Sequence, residues 1–155
     1  MYFYMLGIIL IALDQITKLL VIDKLSPGQT VPIIDGMLYF THARNPGIAF
    51  SLFPNMNKTI IILSIVTIFL LFSIYRKTSS DDLWIKTALI FIASGAIGNL
   101  IDRIQYSVVI DFIDFRVWPV FNLADTFIVI GVATIFAIMF LGRKNASDPF
   151  SIGSN

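Results

Sequence analysis

The sequence predicts an α-helical membrane protein: four transmembrane helices with a small extracytoplasmic β-sheet or hairpin element, one integral domain over residues 1–155. Three observations carry this. The 155 residues are 57% hydrophobic and 14% charged, with a mean hydropathy of +0.85, which is more apolar surface than a soluble domain of this size can hide. Four apolar runs approach the ~20 residues that cross a bilayer. Of the segments between them, one holds turn signals beside aromatic and β-favouring residues and another is extended in character.

The first span covers about residues 2–22. It is too long for a secretory leader and lacks a basic start or a small-residue cleavage site, so it reads as a retained helix. The segment 23–58 follows, with turns at Pro27-Gly28 and Asn45-Pro46-Gly47. Met37–Thr41 and Ile48–Phe53 flank the second turn and suggest a hairpin lying on the membrane. The second and third spans cover about 59–75 and 83–101, with Arg76, Lys77, Asp81 and Asp82 in the short loop between them. The segment 102–123 has extended character at Val108–Ile110 and Val117–Phe121. Its Phe112, Phe115, Trp118 and Phe121 suit an interfacial aromatic belt. The fourth span covers about 124–141, and Arg143 and Lys144 open the tail. In hydrocarbon the backbone must satisfy its own hydrogen bonds, so each span is a helix.

Four spans put both termini on one side. Lys24, Arg44, Lys58, Arg103 and Arg116 lie on one face, and Arg76, Lys77, Lys86, Arg143 and Lys144 on the other. The counts tie, but the second set is concentrated next to the spans, which favours cytoplasmic termini. A formal charge of +1 argues against nucleic acid. The absence of Cys removes disulfides and thiolate chemistry, and a single His with no Glu argues against a transition-metal site. Aspartate is nearly the only acid–base chemistry left.

Several polar residues stand where they are costly. Asp14 and Lys18 lie four apart inside the first span, on one helical face. They are either a mutually neutralised pair or part of a polar cluster orienting a site. Gly95-Ala96-Ile97-Gly98 permits close helix approach. Asn99, Asp102 and Arg103 follow within about one turn, either as an Asp–Arg pair closing the helix or as donors to a substrate backbone. Asp125 precedes an apolar run, as an N-cap does. Asp111 and Asp114 could be ordinary loop carboxylates, and His42 a hydrogen-bonded interfacial residue. Ser94-Gly95 faintly resembles an intramembrane serine protease, but Asp14 would keep Lys18 protonated and a poor base.

Asp14-Gln15-Ile16-Thr17-Lys18, Asn45-Pro46-Gly47-Ile48-Ala49-Phe50, Gly98-Asn99-Leu100-Ile101-Asp102-Arg103, Val109-Ile110-Asp111-Phe112-Ile113 and Phe121-Asn122-Leu123-Ala124-Asp125 resemble, in order, the motifs of bacterial lipoprotein signal peptidase, or signal peptidase II. The resemblance covers about residues 5–142. It implies an aspartyl endopeptidase of the bacterial inner membrane, with its site near the outer face. Such an enzyme removes the signal peptide from diacylglyceryl-modified prolipoproteins, before the lipidated cysteine. By the same resemblance Asp111 and Asp125 are the catalytic pair. Asn45, Gly47, Asn99, Arg103, Asn122 and Ala124 belong to the site, with Asp14, Lys18 and Asp102 as supporting polar positions. No metal or organic cofactor is implied. The expected partners are lipidated prolipoproteins and membrane lipids, and a monomer is expected. The competing readings are a non-catalytic lipid- or peptide-binding membrane protein and an intramembrane serine protease.

Overall fold

The structure, a computed structural model, describes residues 2–47 and 57–146. Its elements are α1 (Tyr2–Lys24), β1 (Thr30–Ile34), β2 (Leu38–Asn45), α2 (Asn57–Lys77), α3 (Leu83–Tyr106), β3 (Val109–Asp114) and α4 (Leu123–Ala146). All four helices are long and apolar enough to cross a membrane. Their outward faces, with Ile8, Leu19, Ile62, Phe69, Val129 and Phe136 exposed, suit a hydrocarbon solvent.

α3 is the centre of the bundle and packs against α1, α2 and α4; α4 also touches α1, whereas α2 leans on α3 alone among the helices in substantial contact. Small residues set how closely α3 and α4 approach. A Cβ on Gly95 would run into the Ala124 carbonyl oxygen, and one on Gly98 into the Asp14 carboxylate. Gly131 of α4 lies equally close to the Ala88 carbonyl of α3. The helices therefore dock by backbone proximity, as small residues allow in lipid.

The three strands form one antiparallel sheet in the order β1-β2-β3. It caps the end of the bundle where α1 and α3 finish and α2 and α4 begin. Gly36, at φ +76°, makes the β1–β2 turn. Val21 of α1 packs with Ile110 and Phe112 of β3, flanked by Ile22, Leu25 and Leu123. Phe40 meets Phe112 edge to face at 5.9 Å. The sheet is thus fixed to the bundle through β3.

The structure differs from the sequence reading at several places. α3 runs on to Tyr106, about five residues beyond the expected end. Met37–Thr41 falls largely in β2, but its partners are β1 and β3; Ile48–Phe53 lies outside the described residues. β1 was not anticipated; its Pro32 lies on the sheet edge, where a missing N–H is tolerated. Val117–Phe121 is no strand: only Phe121 forms a bridge, to Ile113.

Candidate active site

β3 and the start of α4 bring Asp111 and Asp125 together at the sheet-bearing end of the bundle. Asp111 pairs with Ala43 of β2 in register and is 3% exposed. Its two carboxylate oxygens accept separate amides, Oδ2 from Asn45 Nδ2 at 3.0 Å and Oδ1 from Asn122 Nδ2 at 2.7 Å. Asp125 Oδ1 accepts from Asn99 Nδ2 at 2.8 Å.

Asp125 is not the N-cap of α4. Asn122 is: its Oδ1 accepts the N–H of Asp125 at 2.9 Å. Asp125 Oδ2 in turn accepts the N–H of Asn122 at 3.3 Å, closing a reciprocal capping box. One asparagine therefore starts the helix and also holds Asp111. Its Nδ2 further donates to Asn99 Oδ1 at 3.1 Å, so Asn122 and Asn99 form an amide chain from Asp111 to Asp125.

Burial pushes the Asp111 carboxyl up to about 7, and the charge of Asp125 adds to the rise; the amides of Asn45 and Asn122 oppose it. A neighbouring negative charge and the loss of water both disfavour the ionised form of a carboxyl.

Beneath the pair lies a buried ionic triad. Lys18, 2% exposed, sits between two carboxylates, Asp14 Oδ2 and Asp102 Oδ2, each at 2.9 Å. Its third bond goes to Asn99 Oδ1 at 3.1 Å. Asp14 and Lys18 thus pair as expected, but Asp102 pairs with Lys18 and not with Arg103. Gln15, overlooked in the sequence, donates to Asp14, to the Gly98 carbonyl and to Asp102, each at 3.1 Å. Its signal was its place beside Asp14 in an apolar helix.

Arg103 turns instead toward the Asn99 carbonyl at 3.3 Å and the Gly47 carbonyl at 3.2 Å. Gly47 is held in turn by its N–H to Asn45 Oδ1 at 3.0 Å. Ala124 is fully buried, its N–H bonded to Asp14 Oδ1 at 2.9 Å, and supports the site through its backbone.

A cleft of about 540 Å³ opens beside the two aspartates. Asn45, Gly47, Asn99, Arg103, Asp111 and Asp125 line its polar end. Ile60, Leu63, Ser64 and Thr67 of α2 form one wall, Ile128 and Val129 of α4 the other, and Ala96 of α3 the floor. Trp118–Phe121 border it. The α2 wall was not foreseen; the two hydroxyls inside an apolar span were its only signal.

Other candidates fall elsewhere. Asp114 lies three residues from Asp111, so the two point to opposite faces of β3. It accepts from Thr41 Oγ1 at 2.7 Å and from the N–H of Arg116 at 2.8 Å. His42 is buried and bonds the Leu25 carbonyl through Nδ1 at 2.8 Å. Ser94 is buried against α1, its hydroxyl 3.4 Å from the Gly7 carbonyl, while the bonds of Lys18 go to Asp14, Asp102 and Asn99. That geometry offers no serine nucleophile and base.

Comparison with known proteins bears on the family and the fold. The family model for signal peptidase (SPase) II matches residues 6–141. The chain belongs to the signal peptidase II family. It is a multi-pass membrane peptidase. The lipoprotein signal peptidase of Halothermothrix orenii is 41% identical over 142 residues, covering 91% of this chain and 97% of that protein. That of Enterococcus faecalis is 37% identical over 152 residues, covering 94% and 92%. A solved bacterial membrane enzyme superposes with a TM-score of 0.87 at 27% identity, over 99% of this chain and 94% of its own. The family match spans all four helices and all three strands except their outermost residues.

Proposed function

We propose that the protein is an aspartyl endopeptidase that removes the signal peptide from diacylglyceryl-modified prolipoproteins, cutting before the lipid-bearing cysteine. The observation that carries this reading is the pairing of Asp111, raised to about 7, with Asp125 at the polar end of an apolar cleft. Membership of the signal peptidase II family supports the substrate class.

In this mechanism the two carboxyls share one proton, with Asp111 the group raised toward neutral pH. The ionised carboxylate takes a proton from water, and the hydroxide adds to the scissile carbonyl carbon. The protonated partner gives its proton to the carbonyl oxygen. A tetrahedral diol results, with the single proton now on the other aspartate. That proton passes to the leaving nitrogen as the C–N bond breaks. The first carboxyl recovers a proton from the diol, which becomes the new carboxylic acid, and the pair is restored. Asn45 and Arg103 line the same end of the cleft, where they supply donors to peptide carbonyls.

A lipidated substrate stays in the bilayer, so a site at this depth meets the bond without extracting acyl chains. With the termini cytoplasmic, the sheet-bearing end faces outward and the signal peptide descends along the cleft. Purified protein is expected to cut a lipidated prolipoprotein and to leave the unlipidated one intact. Asp111→Asn and Asp125→Asn should each abolish cleavage in a folded, inserted protein; near-normal turnover in either would sink the reading. A chelator should leave turnover unchanged, and a loss restored by added metal would overturn the carboxylate mechanism.

A further inference from the structure

A bond can be hydrolysed only when the peptide around it is extended. In hydrocarbon an extended backbone exposes N–H and C=O groups with no water to satisfy them. The cleft must therefore offer hydrogen-bond partners below the aspartates as well as beside them. Asn45, Asn99 and Arg103 supply the upper end. Deeper in the bilayer the described cleft walls are apolar, apart from Ser64 and Thr67 of α2.

These two hydroxyls differ from most others in the helices, with Thr59 in the first turn of α2 the exception. Thr17, Ser73, Thr87, Thr126 and Thr134 each turn the hydroxyl back onto the main-chain carbonyl four residues earlier, the usual resort of a hydroxyl in an apolar helix. Ser64 and Thr67 make no hydrogen bond among the described residues, though both line the cleft. Their depth follows from the pairing of α2 with α3. Asn57 Nδ2 donates to the Arg103 carbonyl at 3.3 Å, which sets the two antiparallel helices level at that point. Seven residues onward along α2 and seven back along α3 bring Ser64 level with Ala96, and both line the cleft. Asn99, which holds Asp125, lies about one turn above.

Their spacing suits an extended chain. Side chains three apart on a helix lie roughly 5–6 Å from one another at Cβ. Along a strand, the backbone groups of residues i and i+2 share one edge and lie about 6.7 Å apart. The swing of two hydroxyls covers the difference. A drop of one helical turn, about 5.4 Å, corresponds to about two extended residues.

We infer that Ser64 and Thr67 form a substrate-binding subsite that hydrogen-bonds the backbone of alternate residues in the unwound part of the signal peptide, beginning about two residues on the amino side of the scissile bond. This rests on the proposed peptidase reading. The hydroxyls act on binding, at a distance from the reacting atoms, and they recognise backbone, so they constrain extension and not side-chain identity.

The test uses the full-length enzyme in lipid nanodiscs with a lipidated prolipoprotein at fixed lipid content. Ser64→Ala and Thr67→Val keep size and remove the hydroxyl. Each is expected to raise KM roughly five- to tenfold, with kcat within twofold and the unfolding temperature unchanged, as the lost bond is one neutral hydrogen bond. Thr67→Ser should keep the wild-type KM. A substrate with a backbone ester two residues before the cleavage site should show a smaller Ser64→Ala effect than the normal peptide. An unchanged KM in the double variant would overturn the subsite while wild-type cleavage leaves the peptidase reading intact. A fall in kcat at constant KM, or a loss that tracks unfolding, would overturn it equally.

Discussion

Ala124, the residue before Asp125, donates its backbone N–H to Asp14 at 2.9 Å. The same relation recurs on the other side of the site: Ile110, the residue before Asp111, donates its N–H to Asp102 at 3.1 Å. Lys18 joins the two acceptors, 2.9 Å from each. One buried triad on α1 and α3 thus fixes the chain immediately ahead of both aspartates. Its third bond, to Asn99 Oδ1, also fixes which way that amide faces, so that Nδ2 meets Asp125.

Removing Lys18 should therefore damage stability first. Lys18→Met leaves Asp14 and Asp102 buried with no cation, and breaking a buried ion network in this way costs about 3–5 kcal/mol. Neutralising all three positions, as Lys18→Met with Asp14→Asn and Asp102→Asn, should recover most of that loss, because the charges leave together while an acceptor for each N–H remains. Thermal unfolding in detergent measures both. A single Lys18→Met variant as stable as wild type would contradict the buried triad.

The Asp111 carboxyl gives stability a definite pH dependence. Its folded value, about 7, lies above the ordinary ~3.9. The folded state therefore keeps a proton that the unfolded state has released, and stability falls as pH rises from about 4 to about 7. Over that window the loss is of order 4 kcal/mol at ~1.4 kcal/mol per unit. Asp111→Asn should flatten the curve and be at least as stable as wild type at pH 8, yet inactive. A purely structural aspartate would give the reverse, lower stability with turnover unaffected. Wild-type cleavage should decline above about pH 7, as the pair loses its shared proton.

The four helices were legible because apolar runs of spanning length admit no other fold in lipid. The end of α3 was not, because Asp102 and Arg103 look like the exit from a membrane. Their cost is met by Lys18 and Gly47, partners from other segments that local hydropathy does not register, and by the Asn99 carbonyl one turn back in α3. Asp125 read as a helix cap for a sound local reason. Only the register of α4, starting at Leu123, makes Asn122 the cap and moves Asp125 into the first turn. Asp111 could not be told from Asp114 by composition or spacing. Strand parity separates them, and parity required the strand to be known. The triad's two backbone bonds join residues 110 and 8 positions apart, and only the first of these is beyond the reach of any local pattern.

Asn122 carries two duties that substitution can separate. Asn122→Asp keeps an acceptor for the α4 start, so helix capping should survive, within the ~1 kcal/mol typical of a good cap exchange. It removes the Nδ2 donor to Asp111 and adds a third carboxyl beside the pair. Activity should fall at least about a hundredfold, with a larger loss as pH rises and the new group ionises. Asn122→Ala should lose cap and activity together. Comparing unfolding temperatures and turnover for the two variants checks this, and equal instability in both would remove the distinction.

Gly98 tests how closely the helices must meet. A Cβ there would collide with the Asp14 carboxylate and crowd the Ala124 Cβ. Neither neighbour can yield freely: Asp14 is held by Lys18, Gln15 and the Ala124 N–H, and Ala124 is fully buried. Gly98→Ala should therefore cost about 1–3 kcal/mol, the range for overpacking a tight core. The shift should also reach the chemistry, because Asp14 is what holds the segment carrying Asp125. Cleavage should fall more than the unfolded fraction accounts for when both are measured at one temperature. Wild-type turnover in a Gly98→Ala protein of unchanged stability would show that α1, α3 and α4 have slack at this point, contrary to the geometry.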